Sequence, residues 1–157
     1  RKRVIRALEF YQETGRKISE HNAKEQMRTS PYNFAYFVLN DERSHLYKRI
    51  DARVDKMIED GLEAEVRRLK EMGCTKDMVA MQGIGYKEML SYLDGSYSLE
   101  EAVYIIKRET RHFAKRQITW FKRERDVIWL NKNEFDYKNE AILAYMIKIL
   151  KEKAIIS

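Results

Sequence analysis

The chain has 157 residues, which is enough for one domain with a sizeable core, and length alone does not require two. Charged residues make up 36% and hydrophobic residues 44%, with 1 proline and 6 glycines, a composition that argues against a disordered chain or an all-β sandwich and favours a helix-rich globular protein. The formal net charge of +6 suits nucleic acid or another phosphorylated partner, although many proteins without such partners are equally basic.

Cysteine content and hydrophobicity exclude several classes of protein. The single cysteine, Cys74, has no partner for an internal disulfide and lacks the further ligands of a zinc site, so we expect a reducing compartment. No apolar run approaches the ~18 residues of a membrane span, and the first residues show no signal-peptide pattern. We therefore expect a cytoplasmic protein that does not bind membranes.

The chain begins inside a helical pattern, without an initiator methionine, and we interpret it as a fragment of a longer protein. We expect a single fragment, residues 1–157, that is mostly α with two short β-strands. It divides into three segments. Residues 1–40 contain helix, loop and strand, residues 41–97 are helical, and residues 98–157 contain a basic helix, a strand and a closing helix.

The first segment is predicted to contain a helix that ends at Gly15, a short helix over residues 18–27, and a strand in the apolar run 34–39. Basic side chains gather at the start of the first helix. Two interpretations stay open for them, ordinary surface charge or part of an anion-binding surface. They are Lys2, Arg3 and Arg6.

The second segment is predicted to contain a long helix over residues 44–72, interrupted or bent at Gly61 and ended by Gly73. Asp51 and Asp55 are interspersed with basic residues on this helix. Because mixed charges are typical of a face exposed to water, we expect that face to be mostly solvated.

A Gly-x-Gly turn precedes a short helix near residue 86. Backbone amides at such a turn can cradle a phosphate, but a plain tight turn is the more common origin of the pattern. Both interpretations stay open. The residues concerned are Gln82, Gly83, Gly85 and Lys87.

The third segment opens with a capping box, in which Ser98 is followed three residues later by Glu101. It predicts a helix that continues through residue 121. Helical spacing places apolar residues on one predicted buried face of this helix. They are Leu99, Val103, Ile106, Phe113 and Phe121.

Basic residues occupy the opposite side of the same helix and lie within about 60° of one another. They are Arg108, Arg111, Lys115 and Lys122. A solvated face is the usual explanation of a basic run. This stripe contains no acidic residue, however, and like charges three or four positions apart repel. An uncompensated stripe therefore suggests a polyanionic partner.

The chemistry of a complete enzyme is not apparent in these residues. The sequence contains no Walker-type loop, no His-Glu-x-x-His, no nucleophile elbow and no paired-cysteine metal site. The second predicted strand, residues 127–130, is far in sequence from the first, and two short strands rarely form a stable sheet alone. We expect both to belong to a sheet with further strands outside the fragment.

Four motifs, in order along the chain, resemble those of the bacterial tRNA dimethylallyltransferases, also called the tRNA isopentenyltransferase family. They are residues 3–9, 61–66, 84–88 and 110–121. The resemblance implies transfer of a dimethylallyl group from dimethylallyl diphosphate to N6 of the adenine next to the tRNA anticodon, A37, with Mg²⁺. It implies a P-loop-kinase-like α/β core with helical additions, a monomeric parent protein, and a tRNA anticodon stem-loop bound between core and additions.

The resemblance also assigns roles to parts of the protein. This fragment would be the C-terminal half and would hold no catalytic residue and no metal ligand, because the N-terminal half of the family carries the P-loop-like site and the acidic general base. Gln82 stands where relatives have an arginine implicated in handling the prenyl diphosphate, which puts a direct contact there in doubt. The implied diphosphate-proximal residues are Gln82, Gly83, Gly85 and Lys87. The implied tRNA-binding residues are Lys2, Arg3, Arg6, Lys107, Arg108, Arg111, His112, Lys115 and Arg116.

Two alternatives remain at this point. A non-catalytic helical nucleic-acid-binding module explains the basic stripe but not the two isolated strands. A structural or interaction domain, whose basic faces are merely solvated, is the second alternative, and measured affinity for a polyanion separates it from the other two.

Overall fold

The computed structural model describes the whole chain apart from the side chain of Gln26. The chain is mostly helical with two short strands, as the sequence predicts. It forms two compact units, Arg1–Phe34 and Ala35–Ser157. The division into three segments stays a prediction.

The first unit contains α1 (Lys2–Thr14) and α2 (Ile18–Met27), where the sequence predicts them. Gly15 ends α1 with a φ of 67°, a left-handed conformation that glycine adopts at little cost. Its N–H donates a hydrogen bond to the carbonyl oxygen of α1 residue Tyr11.

The second unit contains a two-stranded parallel sheet of β1 (Tyr36–Asn40) and β2 (Val127–Asn131). The first residues of the two strands are paired, and so are the last. Parallel strands need a crossover connection, which the helices between them supply. The sequence predicts both strands, and the structure pairs them with each other. The buried side chains of the sheet are Val38 and Leu130.

The crossover between the strands is helical. The long helix predicted over residues 44–72 is two helices, because Gly61 adopts a φ of 98° between them. Gly73 ends the second of these with a φ of 88°. The helices are α3 (Arg43–Glu59), α4 (Leu62–Glu71), α5 (Tyr86–Leu93) and α6 (Leu99–Phe121), with a short 3-10 helix at Val79–Gln82.

The main hydrophobic core lies among α3, α4, α5 and α6. It draws on the helix faces that the sequence predicts to be apolar, and its central side chains are almost completely buried. This core holds α6 in place against α3 and α5. Its buried members are Val54, Leu62, Val66, Met81, Met89, Leu90, Ala102 and Ile106.

After β2 the chain forms a short 3-10 helix, Lys132–Phe135, and the closing helix α7 (Asn139–Glu152). The aromatic ring of Phe135 lies 5.4 Å from that of Tyr145 on α7. Of the helices formed by the described residues, none combines the length and the apolar character that crossing a bilayer requires.

Candidate nucleic-acid interface

The basic helix α6 begins where its capping box predicts. The Glu101 N–H donates to Ser98 Oγ at 3.1 Å, and the Ser98 N–H donates to the Glu101 carboxylate at 2.8 Å. Acidic residues in the first turn also suit the positive end of the helix dipole. This local order fixes the rotation of all later side chains around the helix axis. The helix has two parts with different surroundings, a first part (residues 99–112) and a last part (residues 113–121).

The apolar face of α6 is buried only in part. Ile106 is 1% exposed, as predicted, but Phe113 is 47% exposed, so its predicted burial is wrong. In the last part of α6, the side that faces the strands carries Ala114, Ile118 and Phe121. Phe113 lies about 90° around the helix from that side at 100° per residue. Its ring therefore remains in contact with water.

The first part of α6 is tied to α3 by two ion pairs. Lys107 Nζ lies 2.5 Å from Asp55 Oδ1, and Arg111 Nη1 lies 2.5 Å from Asp51 Oδ1. The Lys107 and Arg111 side chains are each only 23% exposed, and the Arg111 guanidinium also lies 5.9 Å from the Tyr47 ring centroid. These two cations are structural contacts between helices in this conformation.

These pairs correct two expectations from the sequence. The face of α3 that carries Asp51 and Asp55 is not merely solvated, and one member of the basic stripe, Arg111, is paired with an acid that α3 supplies. A signal was present in the sequence. The two aspartates are four residues apart, as are Lys107 and Arg111, so two packed helices bring both pairs together.

Arg108 and His112 also share an acid. Arg108 Nη2 lies 3.0 Å and His112 Nδ1 lies 3.8 Å from Glu109 Oε1. A hydrogen bond from Arg108, together with the positive charges of Arg108, His112 and Lys87, lowers the pKa of Glu109 below its ordinary value. The charge of Lys87 therefore acts on α6, although this lysine belongs to α5.

The last part of α6 differs in its electrostatics. No acidic residue occurs between Thr110 and Arg123 in the sequence. Lys115 and Arg116 are exposed, and among the described residues neither forms an ion pair with a carboxylate. The Arg116 guanidinium lies 5.8 Å from the Phe113 ring centroid. Two cations predicted to contact tRNA are therefore accessible here.

The Gly-x-Gly turn is held together by its own carboxylate. Gly85 has a φ of 103°, and its N–H donates to Glu88 Oε2 at 2.8 Å. Glu88 is 3% exposed, and its other oxygen lies 3.3 Å from Lys87 Nζ. The Gly85 amide is thus already satisfied, as in a plain tight turn. Gln82 and Gly83 are exposed beside it.

The remaining predicted tRNA contacts belong to the first unit. Basic residues at the start of α1 are exposed to water, as the sequence suggests, and α1 has no buried residue among those described. Their predicted role stays a prediction. They are Lys2, Arg3 and Arg6.

Comparison with known families identifies the chain. A family model described as IPP transferase matches residues 1–124. The chain belongs to the IPP transferase family. The matched region runs from the start of α1 through the last turn of α6 and ends just before β2.

Other IPP transferases share both sequence and fold with the chain. It is 58% identical over 156 residues to a tRNA dimethylallyltransferase of Lachnoclostridium phytofermentans, covering 99% of this chain and 49% of that protein. Its structure resembles the tRNA isopentenylpyrophosphate transferase of Bacillus halodurans with a TM-score of 0.73 and 42% identity, covering 98% of this chain and 46% of that one. The corresponding Staphylococcus epidermidis structure has a TM-score of 0.73 and 37% identity, over 96% and 48%. The chain spans about half the length of these relatives.

Among the described residues, no group of three or more histidine, cysteine, aspartate or glutamate side chains is arranged to hold a metal ion.

Proposed function

We propose that this chain is the C-terminal portion of a tRNA-modifying prenyltransferase. The parent protein transfers the dimethylallyl group of dimethylallyl diphosphate to N6 of A37, the adenine next to the tRNA anticodon. The observation that carries the proposal is the 58% identity, over 99% of the chain, to a protein named tRNA dimethylallyltransferase. The unpaired cations of α6 supply a surface suited to that substrate.

The cations of α6 take different roles in this proposal. Lys115 and Arg116 contact tRNA phosphates, because they are exposed and are not neutralised by a carboxylate among the described residues. Lys107 and Arg111 act as positioning residues, since their charges hold α6 against α3. Arg108 and His112 are intermediate between these two roles, because RNA phosphates must compete with the Glu109 carboxylate for both side chains.

The transfer chemistry belongs to the rest of the parent protein. Transfer from a diphosphate requires cationic and amide donors preorganised around the leaving group. In the Gly-x-Gly turn the Gly85 amide already binds Glu88, and Gln82 carries no charge. The residues of this turn are therefore proposed to lie next to the diphosphate site without binding the diphosphate themselves. They are Gln82, Gly83, Gly85 and Lys87. Mg²⁺ would act with donors outside this chain.

Two measurements test the proposal. The purified chain should bind an anticodon stem-loop RNA more tightly than a neutral polymer at about 0.1 M salt, with affinity that falls as salt rises. The chain alone, given tRNA, dimethylallyl diphosphate and Mg²⁺, should yield no prenylated adenine in nucleoside mass spectrometry, whereas the parent protein should. Absent RNA binding, or a parent protein that leaves tRNA unmodified, would contradict it.

A further inference from the structure

The connection between β2 and α7 contains a strained turn. Asp136 has a φ of 50° and Tyr137 a φ of 59°, both in the left-handed region. Aspartate tolerates that region, but a bulky aromatic residue rarely adopts it, and the strain persists only where neighbouring contacts offset it. The backbone supplies one such contact, because the Tyr137 N–H donates to the Lys132 carbonyl oxygen at 3.0 Å. The Tyr137 side chain supplies the others.

The Tyr137 hydroxyl is bound at the junction of β1 and α3. It donates a hydrogen bond to the Asp41 carboxylate, and His45 Nδ1 lies 2.7 Å from the same hydroxyl oxygen. Because the hydroxyl hydrogen is directed to Asp41, His45 Nδ1 is the donor in the second bond. Loss of hydration, the bond to Asp41 and the negative charges of Asp41 and Glu42 raise the pKa of Tyr137 above its ordinary value. The hydroxyl therefore stays protonated at neutral pH and continues to donate.

The acceptor, Asp41, is fixed on the side of α3. Its side chain is only 6% exposed, and its two carboxylate oxygens lie 3.8 Å from His45 Nδ1 and 3.8 Å from Arg49 Nη1. Asp41 also follows the last residue of β1 directly, so its backbone is tied to the sheet. The Tyr137 side chain therefore connects a strained turn to a buried and well-held carboxylate. All of these contacts form between residues of this chain.

We propose that Tyr137 is the clasp of a two-state hinge between β2 and α7. In the clasped state, the bonds to Asp41 and His45 offset the left-handed backbone and hold the start of α7 against the start of α3. When these bonds open, the backbone at Tyr137 relaxes to negative φ, which changes the direction in which α7 leaves the sheet. The inference goes beyond the proposed function and does not depend on it.

Hydrogen exchange in the parent protein tests the clasp. Tyr137→Phe removes only the hydroxyl, and the amides of residues 132–152 should then exchange about 2- to 10-fold faster, the range expected for one lost hydrogen bond. The amides of α6 should keep their rates, because the opening is confined to the hinge and α7. Tyr145→Phe is the matched control. Tyr145 lies on α7, is 37% exposed, and its hydroxyl makes no hydrogen bond among the described residues.

A second pair of variants tests the strain. Tyr137→Ala removes the clasp and keeps a residue that resists a φ of 59°, whereas Tyr137→Gly removes the clasp and accepts that φ. Exchange in residues 132–152 should therefore be about 2- to 10-fold faster in the alanine variant than in the glycine variant. Circular dichroism should verify that each variant is folded.

Three results would overturn the hinge. They are unchanged exchange in Tyr137→Phe, equal acceleration in α6 and α7, and equal exchange in the alanine and glycine variants. Equal acceleration in both helices would mean that Tyr137 contributes only to the stability of the whole protein. A parent protein that leaves tRNA unmodified would contradict the proposed function, but it would not affect these exchange rates, so failures of the two proposals are distinguishable.

Discussion

Both parts of α6 carry basic and large apolar side chains, but they use them differently. In the first part, Lys107 and Arg111 are paired with aspartates of α3, and Ile106 is buried in the core. In the last part, Lys115 and Arg116 are exposed without carboxylate partners among the described residues, and Trp120 lies half in water. A single basic helix thus contains a structural part and a part open to a ligand.

The difference shows that the net charge of a helix face cannot be inferred from the sequence of that helix alone. The acids that neutralise Lys107 and Arg111 lie on α3, more than fifty residues earlier in the chain. A partially exposed ion pair contributes little to stability, typically below about 1 kcal/mol, yet it removes the charges from the surface that meets a ligand.

The largest expected effect concerns packing. Ile106→Ala removes a side chain that is 1% exposed, and comparable core truncations cost about 2–5 kcal/mol. Phe113→Ala, in the last part of the same helix, should cost well under that, because its ring is 47% exposed. Urea unfolding followed by circular dichroism measures both. Equal losses of unfolding free energy in the two variants would show that the two parts of α6 are packed alike.

The next effect concerns RNA affinity. Replacing Lys115 and Arg116 with glutamine should lower the slope of log affinity against log salt by about 1.4 to 1.8, from roughly 0.7 to 0.9 per phosphate contact. The matched control replaces Lys107 and Arg111 with glutamine, the same change in charge. Because those two cations are paired with α3, the slope should change less. A larger change for the control pair would reverse the roles assigned here.

Removing the carboxylates of α3 should make the first part of α6 resemble the last part. Asp51→Asn together with Asp55→Asn should release Lys107 and Arg111, steepen the salt dependence of RNA binding, and lower stability by about 1 kcal/mol or less for each pair. Asp60→Asn serves as the control, because Asp60 pairs with Lys56 on α3 itself, with 3.1 Å between charged atoms. If the Asp51 and Asp55 variants bind RNA no better than this control, the ion pairs do not restrict the surface.

The smallest effect is a pH dependence at Glu109. Its pKa is lowered in the folded protein, mainly by the hydrogen bond from Arg108. A lowered folded-state pKa contributes stability above the ordinary value of 4.5, and that contribution is lost as the pH falls through the folded-state pKa. Glu109→Gln should therefore flatten the acid side of the curve of unfolding free energy against pH. Identical curves for the variant and the unaltered chain would contradict the interaction.

Several features of the fold could be predicted because their causes are local. Gly15 ends α1 and Gly61 separates α3 from α4, since both adopt left-handed backbone conformations that other residues disfavour. Ser98 and Glu101 define the start of α6 through their own backbone bonds. Each of these effects acts within a few residues, so no knowledge of distant contacts was needed.

The exposure of Phe113 could not be predicted from helical spacing. Spacing identifies which residues share a side of a helix, but it does not tell how far along that side a neighbour extends. α3 and α5 cover the first part of α6, and the face toward the strands in the last part is rotated away from Phe113.

The sequence by itself determined the helices, the two strands, the four family motifs and the absence of acids between Thr110 and Arg123. Only the tertiary structure decided that the strands pair with each other, that the Gly85 amide binds Glu88, and that α3 neutralises Lys107 and Arg111 of the basic helix. The physical reason is the distance along the sequence over which each interaction acts. Backbone conformation and capping depend on neighbours in sequence, whereas the availability of a charge or a ring to a ligand depends on which distant side chain reaches it first.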